Sequence, residues 1–199
     1  MELVKASKQE REGDQVLVRR CLEKDASAQR ELFQRLKRTI HRTLYRIMGS
    51  NAQLPDLIQD SFLEVFRSLS SFQGRSKLDT WADTIAARVA YRYLSTKTRR
   101  PSHLRLVEDV SEDRSTDESR YAARRGVESL YGILDRLEAK YRIAYTLYVI
   151  DERSMAEVAA VTEVSLVAAK NRVWRARKMV TERANHDVAL RAFITKELR

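Results

Sequence analysis

The stretch SMAEVAAVTEVSLVAAKNRVWRARK, residues 154–178, carries the densest local instruction in this chain. Ser154 stands three residues before Glu157. That is the spacing of a capping box, in which the hydroxyl accepts from the backbone near Glu157 and the carboxylate reaches back. A short helix to about Val161 follows. Thr162-Glu163-Val164 reads as a turn, and Ser165 as the cap of a second helix running to about Thr181. On that helix Leu166, Ala169, Val173, Ala176 and Val180 step by three and four and make a core stripe. Ala168, Asn171, Arg175 and Lys178 fall opposite, with Arg172 and Trp174 at the edges. Between Val164 and Thr181 there is no acidic residue, while Lys170, Arg172, Arg175, Arg177 and Lys178 all occur.

Two short helices joined by a tight turn, the second basic on its outer face, form the layout of a DNA-reading helix-turn-helix. Ser165 and Ala168 are small enough for the backbone to approach a groove floor. Asn171 and Arg172 offer paired hydrogen-bonding groups to base edges, and Arg175 and Lys178 suit phosphates. The competing reading is a basic amphipathic helix that only closes a bundle. The cap–turn–cap spacing favours DNA. Upstream, Val127–Leu137 and Tyr141–Ile150 read as two further helices. Downstream, Ala184 to Arg199 keeps helical spacing in Val188, Leu190, Phe193, Ile194 and Leu198. It is expected to pack on the domain it follows or to bind a regulator.

The N-terminal half also reads as packed helices. Val18, Leu22, Leu32, Leu36, Ile40, Leu44 and Ile47 recur at helical steps, Asp25 or Ser27 can cap the second helix, and Gly49 suits a left-handed stop. Pro55 opens the next helix, whose apolar face is Ile58, Phe62, Val65, Phe66 and Leu69. Asp56, Gln59, Asp60, Glu64 and Arg67 collect on the other side. That face is either a solvated surface or a polar docking surface for another protein. Ser71 to Lys77 is a loop. Leu78 to Leu94 is helical again, with Trp81, Ile85 and Val89 on one face and Ala82, Ala86 and Ala90 allowing close packing. Arg88, Tyr91, Arg92 and Lys97 lie on other faces and just beyond. Cations interleaved with aromatics suit single-stranded nucleic acid, although Trp81 itself reads as core.

Composition agrees with an all-α chain. The 199 residues include only 5 Gly and 2 Pro, too few turn formers for a many-stranded barrel or sandwich. The net charge of +10 points to an anionic partner. Residues 1–100 hold 20 basic and 12 acidic side chains, net +8; residues 101–199 hold 18 and 16, net +2. Thr84 to Val107 contains no acid. Glu108, Asp109, Glu112, Asp113, Asp117 and Glu118 then cluster in a Ser-rich segment, so 101–122 reads as a flexible acidic linker. The expected organisation is two small helical domains, 14–100 and 123–182, with that linker between them and a helical tail over 183–199. Cys21 is the single cysteine and reads as a buried structural thiol. His41, His103 and His186 lie far apart, so neither a metal site nor a cofactor is expected. No signal peptide and no membrane span is visible, which makes a cytoplasmic protein the expectation.

Taken together, the two halves resemble the extracytoplasmic-function (ECF) group of bacterial RNA polymerase sigma factors, within the sigma-70 family. Asp56-Leu57-Ile58-Gln59-Asp60-Ser61-Phe62 matches that group's "DLVQ-acid-x-F" segment. Phe72-Gln73-Gly74, Thr80-Trp81 and Ile85-Ala86 match its "F-x-G … TW … IA" pattern. Glu157-Val158-Ala159 and Lys170-Asn171-Arg172-Val173-Trp174-Arg175-Ala176-Arg177 look like its "EIA" and "K-S-R-hydrophobic-x-R-A-R" signature.

The resemblance implies a promoter-specificity subunit with no catalytic site. It implies that the first domain docks on the β′ coiled coil of core RNA polymerase through Asp56, Gln59, Asp60 and Glu64. It also implies −10 recognition and strand holding by Arg75, Ser76, Lys77, Arg88, Tyr91, Arg92 and Lys97. The second domain is implied to read the −35 element through Ser165, Ala168, Lys170, Asn171, Arg172, Arg175 and Lys178, and to touch the β flap. The linker is implied to thread toward the RNA path, and an anti-sigma factor is an implied partner. The sequence departs from the family pattern in places. Arg88 stands where Asn is common, Arg92 where an acid is common, and Ala82 where Leu is usual. Val167-Ala168-Ala169 stands for "G-T-V", and Glu163 for the turn glycine. These describe a divergent member with its own promoter preference. The alternatives are a helix-turn-helix regulator acting without polymerase, which leaves the Asp56–Glu64 face unexplained, and a nuclease. For the latter, Asp56, Asp60 and Glu64 align at i, i+4, i+8, but on an outer face with no histidine near.

Overall fold

The computed structural model describes residues 2–97, 118–187 and 190, with side chains over 11–96, 124–187 and 190. Among the described residues there are eight α-helices and no strand, the all-α class expected. They are α1 (Glu2–Leu22), α2 (Ala26–Met48), α3 (Leu54–Ser68), α4 (Leu78–Lys97), α5 (Glu118–Leu134), α6 (Ala139–Tyr145), α7 (Met155–Thr162) and α8 (Leu166–Ala184). The chain divides into two compact units, Met1–Ala90 and Tyr91–Arg199, the division falling within α4. Residues 101–117 of the expected linker and 188, 189 and 191–199 of the expected tail lie outside the described residues. Residues 118–122 form the first turn of α5.

The first unit is organised around α2, and the ends of that helix are set locally. Asp25 Oδ1 accepts from the backbone N–H of Ser27 at 2.8 Å and of Ala28 at 3.2 Å, and Arg20 braces the carboxylate at 2.7 Å. Its bond from the Ser27 hydroxyl, then that from Arg20, hold Asp25 far below the usual carboxylate range. At the other end Gly49 takes φ 69° and its N–H returns to the Tyr45 carbonyl at 2.7 Å, as its left-handed stop predicts. Between the caps Ala28, Leu32, Leu36, Ile40 and Leu44 are fully buried. Leu17, Val18 and Cys21 of α1 are buried too, as are Leu78, Ala82, Ala86 and Ala90 of α4. Phe33 meets Phe62 at 4.3 Å between ring centroids. Burial raises the Cys21 thiol pKa, so it stays neutral, a packed side chain rather than a nucleophile.

The buried line of α3 differs from the expected one. Leu54, Leu57, Ser61, Phe62 and Val65 are buried, while Phe66 is 38% exposed. The helix is rotated about its axis because Ser61 tolerates burial: its hydroxyl donates to the Leu57 carbonyl at 2.7 Å. A satisfied hydroxyl costs little inside a core.

The second unit closes on Tyr131, Leu134, Leu137, Tyr141 and Tyr145, with Ala176, Val180 and Ala184 of α8 packed against them. Leu190 joins this core at 1% exposure, which seats that part of the tail on the unit. The helix expected over Tyr141–Ile150 changes form midway. From Thr146 to Ile150 it widens to a π-helix, with Asp151 N–H donating to the Thr146 carbonyl at 2.9 Å. A buried ion pair, Arg153 to Asp151 at 2.6 Å, follows at once.

Candidate nucleic-acid and protein interfaces

On α3 the structure places Asp56, Gln59 and Asp60 at the surface and Glu64 half-buried. Leu63, missed by the periodicity argument, is 46% exposed and lies in the same outward stripe. An apolar side chain flanked by carboxylates is suited to a protein surface that offers both cations and an apolar seat.

The loop before α4 is pinned from several sides. Phe72 meets Trp81 edge-on at 5.4 Å between ring centroids, and Trp81 is half-buried rather than fully core. Asp14, completely buried, accepts from the Leu78 backbone N–H at 2.8 Å through Oδ2. Its Oδ1 meets the Arg35 guanidinium as an ion pair at 2.7 Å, without hydrogen-bond alignment. Arg35 also holds Asp79 at 3.1 Å, Thr39 bonds the same carboxylate at 3.1 Å, and Thr43 bonds Asp83. Partial burial works against the Arg35 charge. Asp14 and then Asp79 outweigh it, so its pKa rises above the ordinary arginine value. Exposure along the loop alternates. Gln73, Arg75 and Lys77 are exposed, Phe72, Gly74 and Ser76 are half-buried, and Leu78 is buried. Arg75 and Lys77 therefore share the outer side, and Ser76 faces inward. On α4, Arg88 and Arg92 are exposed and Tyr91 is half-buried. The Lys97 side chain lies outside the described residues.

In the second unit the capping box is present. Ser154 N–H donates to Glu157 Oε2 at 2.9 Å and Glu157 N–H to Ser154 Oγ at 3.3 Å. The Ser154 hydroxyl bond, then the backbone one, lower the Glu157 pKa. Glu163 takes φ 53°, the left-handed turn that a glycine would adopt more readily. Ser165 Oγ then accepts from Ala168 N–H at 3.2 Å, so its hydroxyl serves the helix start.

On α8 the core stripe is Ala169, Val173, Ala176, Val180 and Ala184; Leu166, expected in it, is 46% exposed because it precedes the first packed turn. Lys170, Asn171, Arg175 and Lys178 are exposed, and Ala168 and Arg172 are half-buried. Lys170 projects about 100° round the helix from Asn171. Arg172 keeps Nη1 enclosed with no hydrogen-bond partner. Arg175 donates to the Tyr141 hydroxyl at 3.3 Å, which raises its pKa. Lys178 lies 5.8 Å over the Trp174 ring. Among the described residues Val167 at 69% and Trp174 at 63% are the most exposed large apolar side chains, on the same outer face as Asn171 and Lys178. Sequence periodicity could have found Val167, which lies about 120° or more round the helix from Val173 and Val180.

Comparison with known proteins gives this geometry a family. Sigma-70 region 2 matches residues 32–100, and Sigma-70, region 4 matches residues 128–180. The ECF RNA polymerase sigma-E factor of Haemophilus influenzae is 27% identical over 176 residues, covering 84% of this chain and 93% of that protein. The fold is similar to that of CnrH, solved with the cytosolic domain of CnrY. The TM-score is 0.57 and the identity 21%, over 87% of this chain and 98% of that one. It is equally similar to the sigma factor RpoE of Bartonella quintana, solved with the anti-sigma factor NepR, at TM-score 0.57 and 19% identity over 79% of this chain and 97% of that one. No helix among the described residues is long and apolar enough to cross a membrane. With both regions matched in order around a helical pair of units, and full-length relatives of the same kind, the chain belongs to the sigma-70 family of RNA polymerase sigma factors, in its ECF group.

Proposed function

We propose that this sigma factor divides its work by charge between residues 14–100 and 123–182, joined by the linker 101–122. The α3 stripe of Asp56, Gln59, Asp60 and Glu64 docks on the β′ coiled coil of core polymerase. Arg75 and Lys77 of the loop, with Arg88, Tyr91, Arg92 and Lys97, hold the −10 element and its melted strand, and Ser76, turned inward between the two cations, supports the loop that presents them. α8 enters the major groove of the −35 element. Asn171 reaches base edges, Ser165 and Ala168 line the close approach, and Lys170, Arg172, Arg175 and Lys178 meet phosphates and the groove rim. The observation that carries this reading is the pairing of an exposed acidic stripe on α3 with an exposed cationic face on α8 that carries no acid before Glu182, the partner of Lys178 at 4.0 Å. One surface suits a basic protein and the other suits DNA. The second domain also touches the β flap, and the protein acts in the cytoplasm without catalysis of its own. RpoE of Bartonella quintana is solved with the anti-sigma factor NepR, and CnrH with the cytosolic domain of CnrY, which supports an anti-sigma partner here as well.

Two full-length variants test the division. Asp60→Lys is expected to weaken association with core polymerase in the absence of DNA. Arg175→Ala is expected to leave that association intact, weaken promoter binding by the holoenzyme, and reduce its log–log salt slope by about 0.9, one phosphate's worth. Equal losses in both assays for both variants would overturn the assignment, and undiminished DNA-dependent activity without core polymerase would favour a stand-alone regulator.

A further inference from the structure

We infer that Asp14 and Gln15 of α1 are positioning residues for the loop 72–77, and that through it they set which −10 bases the protein accepts. This rests on the reading that Arg75 and Lys77 meet the −10 strand. Neither α1 residue falls within residues 32–100, the segment matched to region 2.

The geometry that supports it is a set of three anchors, at the start, middle and end of the loop. At the start of the loop, Phe72 N–H donates to the Leu69 carbonyl at 3.1 Å and the Phe72 ring rests on Trp81. In the middle, Gly74 takes φ 67° directly against the Gln15 side chain, so closely that a methyl group at position 74 would collide with the Gln15 amide. At the end, Asp14 accepts the Leu78 N–H, one of the donors that the first turn of α4 leaves unmatched, across 64 positions of sequence. Asp14 is itself held by Arg35, which is fixed to Asp79 in that same first turn. Two adjacent residues of one helix thus touch the loop at residue 74 and at the start of α4.

These anchors fix a phase. Along the bent loop, positions 72, 74 and 76 are half-buried and 78 is buried, while 73, 75 and 77 are exposed. Releasing the inward set lets Arg75 and Lys77 change direction without changing identity. Gln15 is exposed, and its side chain lies over Gly74 from the solvent side of α1.

The test uses holoenzyme assembled from core polymerase and the full chain, carrying Asp14→Asn, Gln15→Ala or Arg75→Ala. Transcription is measured from a promoter that the holoenzyme opens and from versions with each −10 base substituted in turn, the −35 element unchanged. A general loss of folded protein scales every promoter alike, so the readout is the ratio between promoters. The expected result is a shift in these ratios of about fivefold in Asp14→Asn and Gln15→Ala, in the same direction as in Arg75→Ala, the size of a lost base discrimination. If Arg75→Ala shifts the ratios and the α1 variants do not, or if they only scale all promoters together, the inference is overturned. If Arg75→Ala and a Lys77→Ala companion also leave the ratios unchanged, the −10 reading beneath it is overturned instead.

Discussion

Glu157 shows how much one carboxylate can do at a helix start. Its pKa is lowered by the Ser154 hydroxyl and backbone bonds, so ionised Glu157 is favoured in the folded state. A depressed carboxylate contributes stability that is present above its unfolded value, ordinarily 4.5, and is lost as pH falls through the lower folded value. Glu157→Gln is therefore expected to flatten the pH dependence of unfolding below about pH 4.5, the unfolded glutamate range, measured by urea denaturation at a series of pH values. Glu163 is the contrasting case. Its φ of 53° costs a side chain about 1 kcal/mol, while a glycine there gives back part of that gain as unfolded-state entropy. Glu163→Gly should leave stability unchanged or raise it by up to about 1 kcal/mol, and Glu163→Val should lower it by about 1 kcal/mol or more, since a β-branched residue fits that region poorly. Denaturation midpoints decide both.

Helices are where the sequence was most legible. The caps at Asp25, Gly49, Ser154 and Ser165 depend only on neighbours within a few positions, and all four are present. The face that a helix buries was less legible. On α3, residues 57, 61 and 65 compete with 58, 62 and 66, and a hydroxyl that satisfies itself on the Leu57 carbonyl tips the balance. On α8 the exposure of Val167 beside Asn171 adds an apolar group to a face otherwise read as polar. In a major groove the apolar feature of a base is the thymine methyl group. Replacing thymine by deoxyuridine across the −35 element is expected to weaken wild-type holoenzyme binding about fourfold per contacted methyl, from roughly 0.8 kcal/mol each. Val167→Ala should show a smaller response. Equal sensitivity in both proteins would place the methyl groups elsewhere.

At the scale of the whole molecule, what the sequence could not show is what joins distant positions. Nothing local marks Asp14 as a partner of Leu78, and helical periodicity alone does not bring Gln15 to Gly74. The π-helical turn at Thr146–Ile150 is equally silent, because its apolar spacing reads as ordinary helix. The tail gives a direct measure of such distant packing. Ending the chain after Val180 removes Ala184 and Leu190 from the core around Tyr131 and Leu134. It is expected to cost the second unit about 3 kcal/mol, comparable to emptying one buried leucine site, and a lowered melting temperature of the shortened chain would record it.

The same observations bear on transplantation. The segments matched to regions 2 and 4 begin at residue 32 and end at residue 180, yet the first unit is fastened by a carboxylate at 14 and the second is sealed by a leucine at 190. A chimera cut at the matched segments would carry the DNA-facing side chains intact and leave their fastenings behind. Exchange of promoter preference between sigma factors of this kind should therefore succeed when the borrowed piece reaches outward to α1 on one side and to Leu190 on the other.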